Sequence, residues 1–325
     1  MYAMQVKSLD GPRALERVDA SPPKPARGEV VIEVAWAGCN FFDTLITRGR
    51  YQVRPELPFA PGAEVSGVVS AVGADARGFA VGDRVLGLLP YGGYATHVAV
   101  PASRAFAVPD EVPLDDACAM GIVYQTSYIA LHERAGLRSG ERLLVHAAAG
   151  GVGLAAVELG AAAGAEVIGT AGSERKLELA RAHGATHALS YRDASWVDAV
   201  RALTGGRGAD VIYDPVGGDT FDASTKCIAF GGRLLVIGFA SGRIPTLEMN
   251  RVLLKNIAVV GTHWGAYFEH ASEVPARAQR ALFDLHRDGK IHPLIGARHP
   301  LVDAARALEA LAGRETVGKV LLSPT

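Results

Sequence analysis

The chain has 325 residues, of which 49% are apolar and 21% are charged, so it can bury a large core and is not a disordered protein. Its net charge is −1, from 33 basic and 34 acidic side chains, and no block of like charge stands out. Electrostatic binding to nucleic acid or to an anionic membrane is therefore disfavoured. The length predicts two domains.

The cysteines predict a reducing environment. Cys39, Cys118 and Cys227 are far apart and odd in number, so we expect no disulfide framework and a cytoplasmic location. The N-terminus lacks the basic and apolar regions of a signal peptide. The most membrane-like stretch, residues 143–165, is interrupted by polar residues and glycines and is interpreted as a strand, a turn and a helix.

The first 120 or so residues have the pattern of an all-β, barrel-like domain. Short β-branched runs bounded by Gly, Pro or Asp recur there, among them GEVVIEVAWAG, EVSGVVSAVG, GDRVLGLL and GGYATHVAVP. One helix is predicted near Phe41–Arg48, and a helical pattern runs from Leu114 to Ala135.

Strands then alternate with helices from Glu141 to about His263, which indicates βαβ units and a doubly wound parallel sheet. Two further helices and a short strand, KVLLSP, close the chain. This tail is too short for a domain of its own, so we expect it to complete the first one. The predicted fold class is α/β, with one domain from residues 1–123 and 267–325 and a second from residues 124–266.

A glycine-rich turn opens the parallel part. The strand RLLVHA leads into a variant of the G-x-G-x-x-G dinucleotide fingerprint, with Ala148, Gly150 and Gly153 in the three glycine places. Gly150 would admit a pyrophosphate, and Gly153 would let the helix pack closely. Gly151 and Val152 would offer N–H groups to the phosphates. The alternative is a purely structural turn.

The next strand predicts which dinucleotide binds. An NAD-binding protein would place an acid at the end of this strand, but residues 169–172 contain none, and Glu166 lies at the strand's start. Ser173, Arg175 and Lys176 follow at a helix N-terminus and suit a 2′-phosphate. These residues favour NADPH. The alternative is that Ser173 caps the helix and that the two cations are surface charges.

The chain resembles the medium-chain dehydrogenase/reductase superfamily, in its zinc-independent, zeta-crystallin-like quinone oxidoreductase branch. The matching stretches, in family order, are AGCNFFDTLITRGRY, LPFAPGAEVSGVVSAVG, GFAVGDRV, AAAGGVGLAAVELGAAAGAEVIGTAGSERK, YDPVGG, GGRLLVIGFASG and RETVGKVLL. They cover nearly the whole chain. The resemblance implies a GroES-like barrel domain built from both chain ends, with a Rossmann domain between them.

Two positions argue against the catalytic zinc of the superfamily's alcohol dehydrogenases. The ligand cysteine of their G-x-C-x-x-D motif is replaced by Asn40, and the ligand histidine of G-H-E is replaced by Ala63. We therefore predict no metal site. Without a Lewis acid, simple alcohol–ketone chemistry is disfavoured. Hydride transfer from NADPH to quinones or α,β-unsaturated carbonyls remains, because conjugation activates these substrates.

The resemblance also implies site residues. Asn40, Asp43 and Tyr51 are the catalytic candidates: Asn40 as a hydrogen-bond donor or a helix cap, Asp43 as a residue that orients neighbours, and Tyr51 as a donor to an oxyanion or an ordinary loop-edge tyrosine. The further expected contacts to the cofactor are Thr126, Tyr191, Val216, Gly238, Phe239, Arg314 and Lys319. Alternatives are a self-bonded hydroxyl for Thr126 and a helix-end cation for Arg314.

The predicted function is zinc-independent reduction of quinones or related conjugated carbonyls by NADPH. The alternatives are an enoyl or 2-alkenal reductase and, from another class, a non-catalytic NADPH-binding protein. The apolar strand 256–263 ends the βαβ series, so we expect it at a sheet edge, paired with a second copy in a homodimer. The alternative is that Trp264, Tyr267 and Phe268 cover this edge and leave a monomer.

Overall fold

The computed structural model describes residues 1–324, which divide into two compact units. The first unit contains Met1–Ile122, Phe268–Arg287 and the chain from Pro293 onward, and the second contains Val123–Tyr267 and Asp288–His292. The five residues 288–292 were expected in the first domain. They belong to the second because Ile291 is buried and the backbone N–H of His292 donates to the carboxylate of Glu158 (3.0 Å).

The N-terminal part is mostly β-structure, as the alternating short runs predict. Its elements are β1 (Tyr2–Val6), β2 (Leu15–Asp19), β3 (Glu29–Cys39), α1 (Phe41–Ile46), β4 (Glu64–Val72), β5 (Arg84–Leu88), β6 (His97–Pro101), β7 (Ala105–Ala107), α2 (Leu114–Ala119) and α3 (Ile122–Tyr128). A π-helical segment, Ile129–Arg134, follows α3.

The second unit is a six-stranded parallel sheet with helices between its strands. Its elements are β8 (Arg142–Val145), α4 (Gly151–Ala162), β9 (Glu166–Ala171), α5 (Glu174–Ala182), β10 (His187–Ser190), α6 (Trp196–Leu203), β11 (Ala209–Asp214), α7 (Gly218–Cys227), β12 (Ile228–Val236), α8 (Met249–Lys255) and β13 (Ala258–Gly261). The strand order is β10-β9-β8-β11-β12-β13, which is the doubly wound Rossmann order.

The C-terminal part returns to the first unit. It contributes α10 (Glu273–Arg287), β14 (Ile295–Pro300), α11 (Ala304–Ala312) and β15 (Lys319–Ser323), after the short α9 (Tyr267–His270). β15 pairs antiparallel with β3, and the seven-stranded sheet runs β14-β15-β3-β4-β5-β7, with β6 also on β3. Both chain ends therefore build the GroES-like domain, as expected.

Two elements differ from the sequence interpretation. Helix α8 was not predicted. Its sequence gives no helical signal, because Met249, Leu253 and Leu254 are exposed and its apolar residues do not follow a core-facing stripe. β13 is shorter than the predicted strand 256–263. Asn256 adopts a left-handed conformation (φ +50°) and ends α8, so it cannot extend the strand. No helix among residues 1–324 is long and apolar enough to cross a membrane.

The close approach of α4 to the turn before it explains Gly153. A Cβ at this position would lie 2.1 Å from the carbonyl oxygen of Ala147, far inside van der Waals contact. Only glycine therefore lets α4 begin directly against the end of β8, which is the role expected of the third fingerprint glycine.

We expect Gly153→Ala to lower the free energy of unfolding by about 1–3 kcal/mol, because the new methyl group forces α4 away from the turn. Gly265→Ala is the control, since its Cβ would meet no atom closer than 3.9 Å. Urea denaturation of both variants tests this. Equal losses of stability in the two variants would contradict the steric explanation.

Candidate active site and cofactor site

The loop between β3 and α1 is organised by the buried carboxylate of Asp43. Its Oδ2 accepts hydrogen bonds from the backbone N–H of Asn40 (2.8 Å) and from the hydroxyl of Tyr94 (3.1 Å). Its Oδ1 accepts one from the backbone N–H of Gly62 (3.2 Å). Asp43 therefore holds the N-terminus of α1, as the third helical residue does in a capping box, and ties it to two other segments of the barrel.

Burial also sets the protonation of this cluster. Burial raises the pKa of Asp43 to about 7, while the N–H groups of Asn40 and Gly62 and the charge of Lys319 act in the opposite direction. Burial raises the pKa of Cys39 to about 12, so its thiol stays protonated at neutral pH. Asp43 is therefore a carboxyl group that titrates near neutral pH.

A buried lysine reaches the same loop from the C-terminal strand. Lys319 is only 3% exposed, and its Nζ donates to the carbonyl of Cys39 (2.8 Å) and to Oδ1 of Asn40 (2.7 Å). Its third partner is the carboxylate of Glu64, whose Oε1 also accepts from Nδ2 of Asn40 (2.7 Å). We call Lys319, Asn40 and Glu64 the Lys319 cluster.

The Lys319 cluster bears on two expectations. Lys319 was expected to contact NADPH, but its three ammonium hydrogens are used inside the barrel. This geometry disfavours the contact to NADPH, which stays a prediction. Asn40 stands at the N-cap of α1, where it forms a capping box with Asp43, and its side chain also bonds within the cluster.

Two glycines make room for the Glu64 carboxylate. A Cβ at Gly38 would lie 2.2 Å from its Oε1, and one at Gly121 would lie 2.4 Å from its Oε2. Oε2 accepts from the backbone N–H of Ile122 (2.6 Å). Both oxygens of this fully buried carboxylate are therefore hydrogen-bonded, which is the condition on which a protein interior tolerates a charge.

Tyr51 lies in the same unit, on the loop after α1. Its half-buried ring stacks on that of Phe42, with 5.2 Å between ring centroids. Burial raises the pKa of Tyr51, and the nearby charge of Asp43 raises it further. The hydroxyl of Tyr51 therefore keeps its proton at neutral pH and can donate a hydrogen bond.

In the second unit, the turn between β8 and α4 suits an anionic ligand. Ala147 adopts a left-handed φ of +51°, and Gly150 is the N-cap of α4. Gly151 and Val152 open the helix, so their N–H groups have no acceptor within it. A Cβ at Gly150 would come no closer than 3.4 Å to any atom, so the chain's own packing does not demand this glycine. The close approach of a pyrophosphate, predicted from the fingerprint, stays the expected reason for it.

The end of β9 carries the groups predicted to bind a 2′-phosphate. Ser173 is the N-cap of α5, and its exposed hydroxyl makes no capping hydrogen bond. Arg175 is exposed and Lys176 is half-buried in the first turn. Glu166 lies at the opposite end of β9, where it pairs with Arg142. No acid therefore occupies the ribose position at the end of this strand.

Tyr191 lies beside the same strand end. A Cβ at Gly172 would lie 2.3 Å from the Tyr191 hydroxyl oxygen, so the ring reaches directly over the segment that leads into Ser173. The side chain of Tyr191 is exposed. The structure therefore brings Tyr191 together with the residues predicted to bind the adenosine end of the cofactor.

The carboxyl ends of β11 and β12 meet at a second loop pair. The carboxylate of Asp214 accepts from the backbone N–H groups of Val216 (2.8 Å) and Gly217 (3.0 Å) and fixes the first loop. Gly217 has a φ of +67°, and a Cβ there would lie 2.9 Å from the ring of Phe239. Gly238 and the exposed Phe239 follow β12. Ligands bind at such strand ends in doubly wound sheets.

Thr126 lies buried on α3, next to a residue that anchors the nucleotide helix. The hydroxyl of Ser127 shares its one hydrogen between the carbonyl of Val123 (2.9 Å) and that of Val152 (3.0 Å), in the first turn of α4. The hydroxyl of Tyr213 lies 2.8 Å from it. Sequence reasoning singled out Thr126 and missed this hydrogen bond.

Arg314 follows α11 in the first unit, in a left-handed conformation (φ +59°), and its contact to the cofactor stays a prediction.

A buried histidine behind the glycine-rich turn also escaped sequence reasoning. The Ser224 hydroxyl donates to the carbonyl of Thr220 (2.7 Å), so its oxygen accepts from Nε2–H of His146 (2.8 Å). Nδ1 of His146 then accepts from the hydroxyl of Thr170 (2.9 Å). Burial lowers the pKa of His146 to about 3. His146 is therefore a neutral bridge between β8, β9 and α7.

Thr262 is a further missed residue. It follows β13, its hydroxyl oxygen is buried, and no hydrogen-bond partner for it exists within residues 1–324. Its backbone N–H donates to the carbonyl of Val236, the last residue of β12. A buried hydroxyl without a partner at the carboxyl edge of the sheet fits a site completed by a bound group.

Known proteins resemble both units. Residues 26–110 match the profile of the alcohol dehydrogenase GroES-like domain, and residues 151–280 match that of the zinc-binding dehydrogenases. Quinone oxidoreductase-like protein 2 of Rattus norvegicus is 38% identical over 316 residues, which are 97% of this chain and 90% of that protein. The chain belongs to the quinone oxidoreductase branch of the medium-chain dehydrogenase/reductase superfamily.

Solved structures of this superfamily match the whole chain. The quinone oxidoreductase of Escherichia coli, solved in complex with NADPH, has a TM-score of 0.94 and 33% identity, with 100% of both chains covered. The CurK enoyl reductase has a TM-score of 0.89 and 26% identity, with 99% of this chain and 98% of that chain covered. Superfamily members with two different named activities therefore share this fold.

The zinc of other superfamily members does not fit the residues present here. At the two ligand places, Ala63 offers no donor atom, and Oδ1 of Asn40 is bound to the ammonium of Lys319. Oε1 of the neighbouring Glu64 is bound to the same ammonium. Within the described chain, residues 1–324, no group of three or more His, Cys, Asp or Glu side chains is arranged to hold a metal ion. A tetrahedral zinc site needs several such ligands.

The raised pKa of Asp43 predicts a pH-dependent stability. The unfolded chain releases this proton near pH 4, whereas the folded chain keeps it to about pH 7. The contribution of Asp43 to the free energy of unfolding is therefore fully present below pH 4 and is lost as the pH rises through 7, by on the order of 4 kcal/mol.

Asp43→Asn cannot titrate, so the difference in unfolding free energy between wild type and variant should fall from pH 4.5 to pH 7 and then level off, roughly following the two carboxyl pKa values. Urea denaturation over this range measures it. Asp303→Asn is the control, because Asp303 is a half-buried carboxylate at the N-cap of α11. A constant difference across the range would show that Asp43 does not titrate there.

Proposed function

We propose that this chain is an NADPH-dependent, zinc-independent reductase that delivers hydride to quinones or related conjugated carbonyls in the cytoplasm. The observation that carries this proposal is the Lys319 cluster, in which a salt bridge and an amide stand where zinc-dependent relatives bind their metal. In this proposal the barrel unit is the catalytic domain and the parallel-sheet unit is the cofactor domain.

The cofactor assignment rests on the parallel sheet. Gly150 and the first turn of α4 would receive the pyrophosphate. Ser173, Arg175 and Lys176 would receive the 2′-phosphate, since a hydroxyl, two cations and a helix N-terminus meet there. The one acid of this turn, Glu174, pairs with Arg181. The Escherichia coli relative solved with NADPH supports the same choice.

The substrate assignment follows from residues that cannot hold a zinc ion to polarise a carbonyl group. NADPH supplies hydride when bound, and the chain's residues then have to orient the acceptor and stabilise the charge that develops on its oxygen. A conjugated acceptor spreads this charge and needs no Lewis acid. Tyr51 and Asn40 are the proposed hydrogen-bond donors to that oxygen, because both carry N–H or O–H groups in the barrel unit.

An enoyl or 2-alkenal double-bond reductase is the second candidate. The full-length match to the CurK enoyl reductase favours it, and the same residues would serve. In both reactions hydride adds to a carbon conjugated with a carbonyl group. A non-catalytic NADPH-binding protein is the alternative of another class, and only an assay of turnover separates it from the first two.

The deciding experiment measures NADPH oxidation with quinones, 2-alkenals and enoyl thioesters, each with and without a strong chelator. NADPH carrying deuterium at the transferred position of its nicotinamide ring shows, by a primary kinetic isotope effect, whether the C–H bond breaks in the reaction. The proposal expects sustained turnover with quinones, a primary isotope effect, and no effect of the chelator. Turnover with enoyl thioesters alone would favour the second candidate, and tight NADPH binding without any turnover would favour the third.

Tyr51→Phe should lower kcat by about 10-fold or more with little change in the Kd of NADPH, because it removes a donor to the developing oxyanion. Tyr91→Phe is the matched control, since Tyr91 is an exposed tyrosine of the same unit that also packs on a phenylalanine. Unchanged kcat in Tyr51→Phe would remove Tyr51 from the catalytic residues.

Lys176→Ala should weaken NADPH binding by about 1.5–3 kcal/mol and leave NADH binding nearly unchanged, because only NADPH carries the 2′-phosphate. Lys226→Ala, at an exposed lysine near the end of α7, is the control. Titration of each protein with both dinucleotides measures the effect. Equal affinity of the wild type for NADH and NADPH would overturn the cofactor assignment.

We also propose that the chain forms a homodimer through the edge of its parallel sheet. β13 is the last strand of that sheet and pairs only with β12 among residues 1–324, and most of its residues, including Val259, are exposed. An unpaired apolar edge strand invites a second strand, and a two-fold axis would close the contact.

Val259→Asp tests the dimer, because the two-fold axis would bring the introduced charges of both copies close together. Val302→Asp is the matched control, since Val302 is 45% exposed and Val259 is 41% exposed. Sedimentation at micromolar concentration should show twice the chain mass of 34.0 kDa for the wild type and the control, and a monomer for Val259→Asp. A monomeric wild type would refute the proposal.

A further inference from the structure

The hydrogen bonds of the Lys319 cluster determine which way round the Asn40 amide lies. The ammonium of Lys319 can only donate, so the group facing it must be the amide oxygen (2.7 Å). The Glu64 carboxylate has no proton to offer the amide and accepts from the amide nitrogen (2.7 Å). A flipped amide would set donor against donor and acceptor against acceptor, so the orientation follows from chemistry.

One hydrogen of this amide is left over. The Nδ2 group of Asn40 has two hydrogens, and Glu64 is the one acceptor that residues 1–324 offer it. The Oδ1 atom is engaged by Lys319. A nearly buried N–H without an acceptor is best satisfied by a group from outside the chain.

We infer that Lys319 is a positioning residue: together with Glu64 it holds the Asn40 amide in the one orientation that presents a free N–H to the carbonyl oxygen of the substrate. This inference rests on the proposed function. The ammonium of Lys319 would affect catalysis by orienting Asn40, without contacting substrate or cofactor itself. It also explains why the chain buries a lysine beside a carboxylate instead of filling the space with apolar groups.

Two variants separate positioning from stability. Lys319→Met removes the ammonium and leaves the Glu64 carboxylate buried and uncompensated, so both stability and orientation suffer. Lys319→Met combined with Glu64→Gln removes both charges. In this double variant the backbone N–H of Ile122 keeps the oxygen of the introduced glutamine, so the glutamine nitrogen faces Asn40. The uncharged pair restores stability, but Asn40 must turn its oxygen toward that nitrogen and loses its wild-type orientation. Lys7→Met, which breaks the exposed pair Lys7–Glu16, is the control.

The experiment measures kcat with a soluble benzoquinone, the Kd of NADPH, and the urea midpoint of each protein. Lys319→Met and the double variant should both lose about 10- to 100-fold in kcat, as on loss of an oriented oxyanion donor, with an NADPH Kd close to that of the wild type. Recovery of kcat together with stability in the double variant would overturn the inference. A raised NADPH Kd with unchanged kcat would also overturn the inference, because it would indicate that Lys319 contacts the cofactor.

A readout without turnover keeps this test independent of the proposed function. In protein labelled with 15N-asparagine, the Asn40 amide should give two well-separated proton signals in the wild type and in Lys7→Met. These signals should shift or multiply in both Lys319 variants, because the amide no longer lies in its wild-type surroundings. Identical Asn40 signals in wild type and variants would overturn the inference even if no quinone is reduced, whereas absent turnover with the expected signals would count against the proposed function alone.

Discussion

The buried ion pair between Lys319 and Glu64 connects the last strand of the chain to its beginning. Lys319 lies on β15, and its partners lie on β3, on β4 and at the N-cap of α1, as far as 280 positions away in sequence. A carboxylate placed between Gly38 and Gly121 is costly to bury until the ammonium arrives. The barrel therefore cannot reach its final state before the C-terminal segment has joined it, and the large loop that this closes contains the whole parallel-sheet unit.

The parallel-sheet unit is held together by contacts of a different kind. Its strands and helices follow one another closely in sequence, and its buried polar groups are mostly neutral. His146 shows this: it bonds two neutral hydroxyls, and burial lowers its pKa to about 3. The backbone behind the glycine-rich turn therefore keeps the same hydrogen bonds across the physiological pH range, while Asp43 in the other unit titrates within it.

These differences explain what could be predicted from the sequence. The doubly wound sheet, the turn at Gly150 and Gly153, and the missing acid after β9 were predicted, because each is a local pattern of spacing and residue type. Helix α8 was missed because its large apolar side chains face solvent, so its periodicity carries no core signal. Lys319 was assigned to the cofactor because a motif reveals the position of a residue but not the direction in which its side chain points.

The Lys319 cluster sets the number of changes that separate this chain from a zinc-binding relative. A cysteine in place of Asn40 and a histidine in place of Ala63 would supply two ligands, but the ammonium of Lys319 would remain among them and repel a divalent cation. Removing that charge requires a third change on β15, and by itself it leaves Glu64 unpaired. The step that removes Lys319 therefore leaves a buried charge without its partner, in whatever order the other two changes are made, so metal dependence cannot be gained here by one substitution at a time without loss of stability.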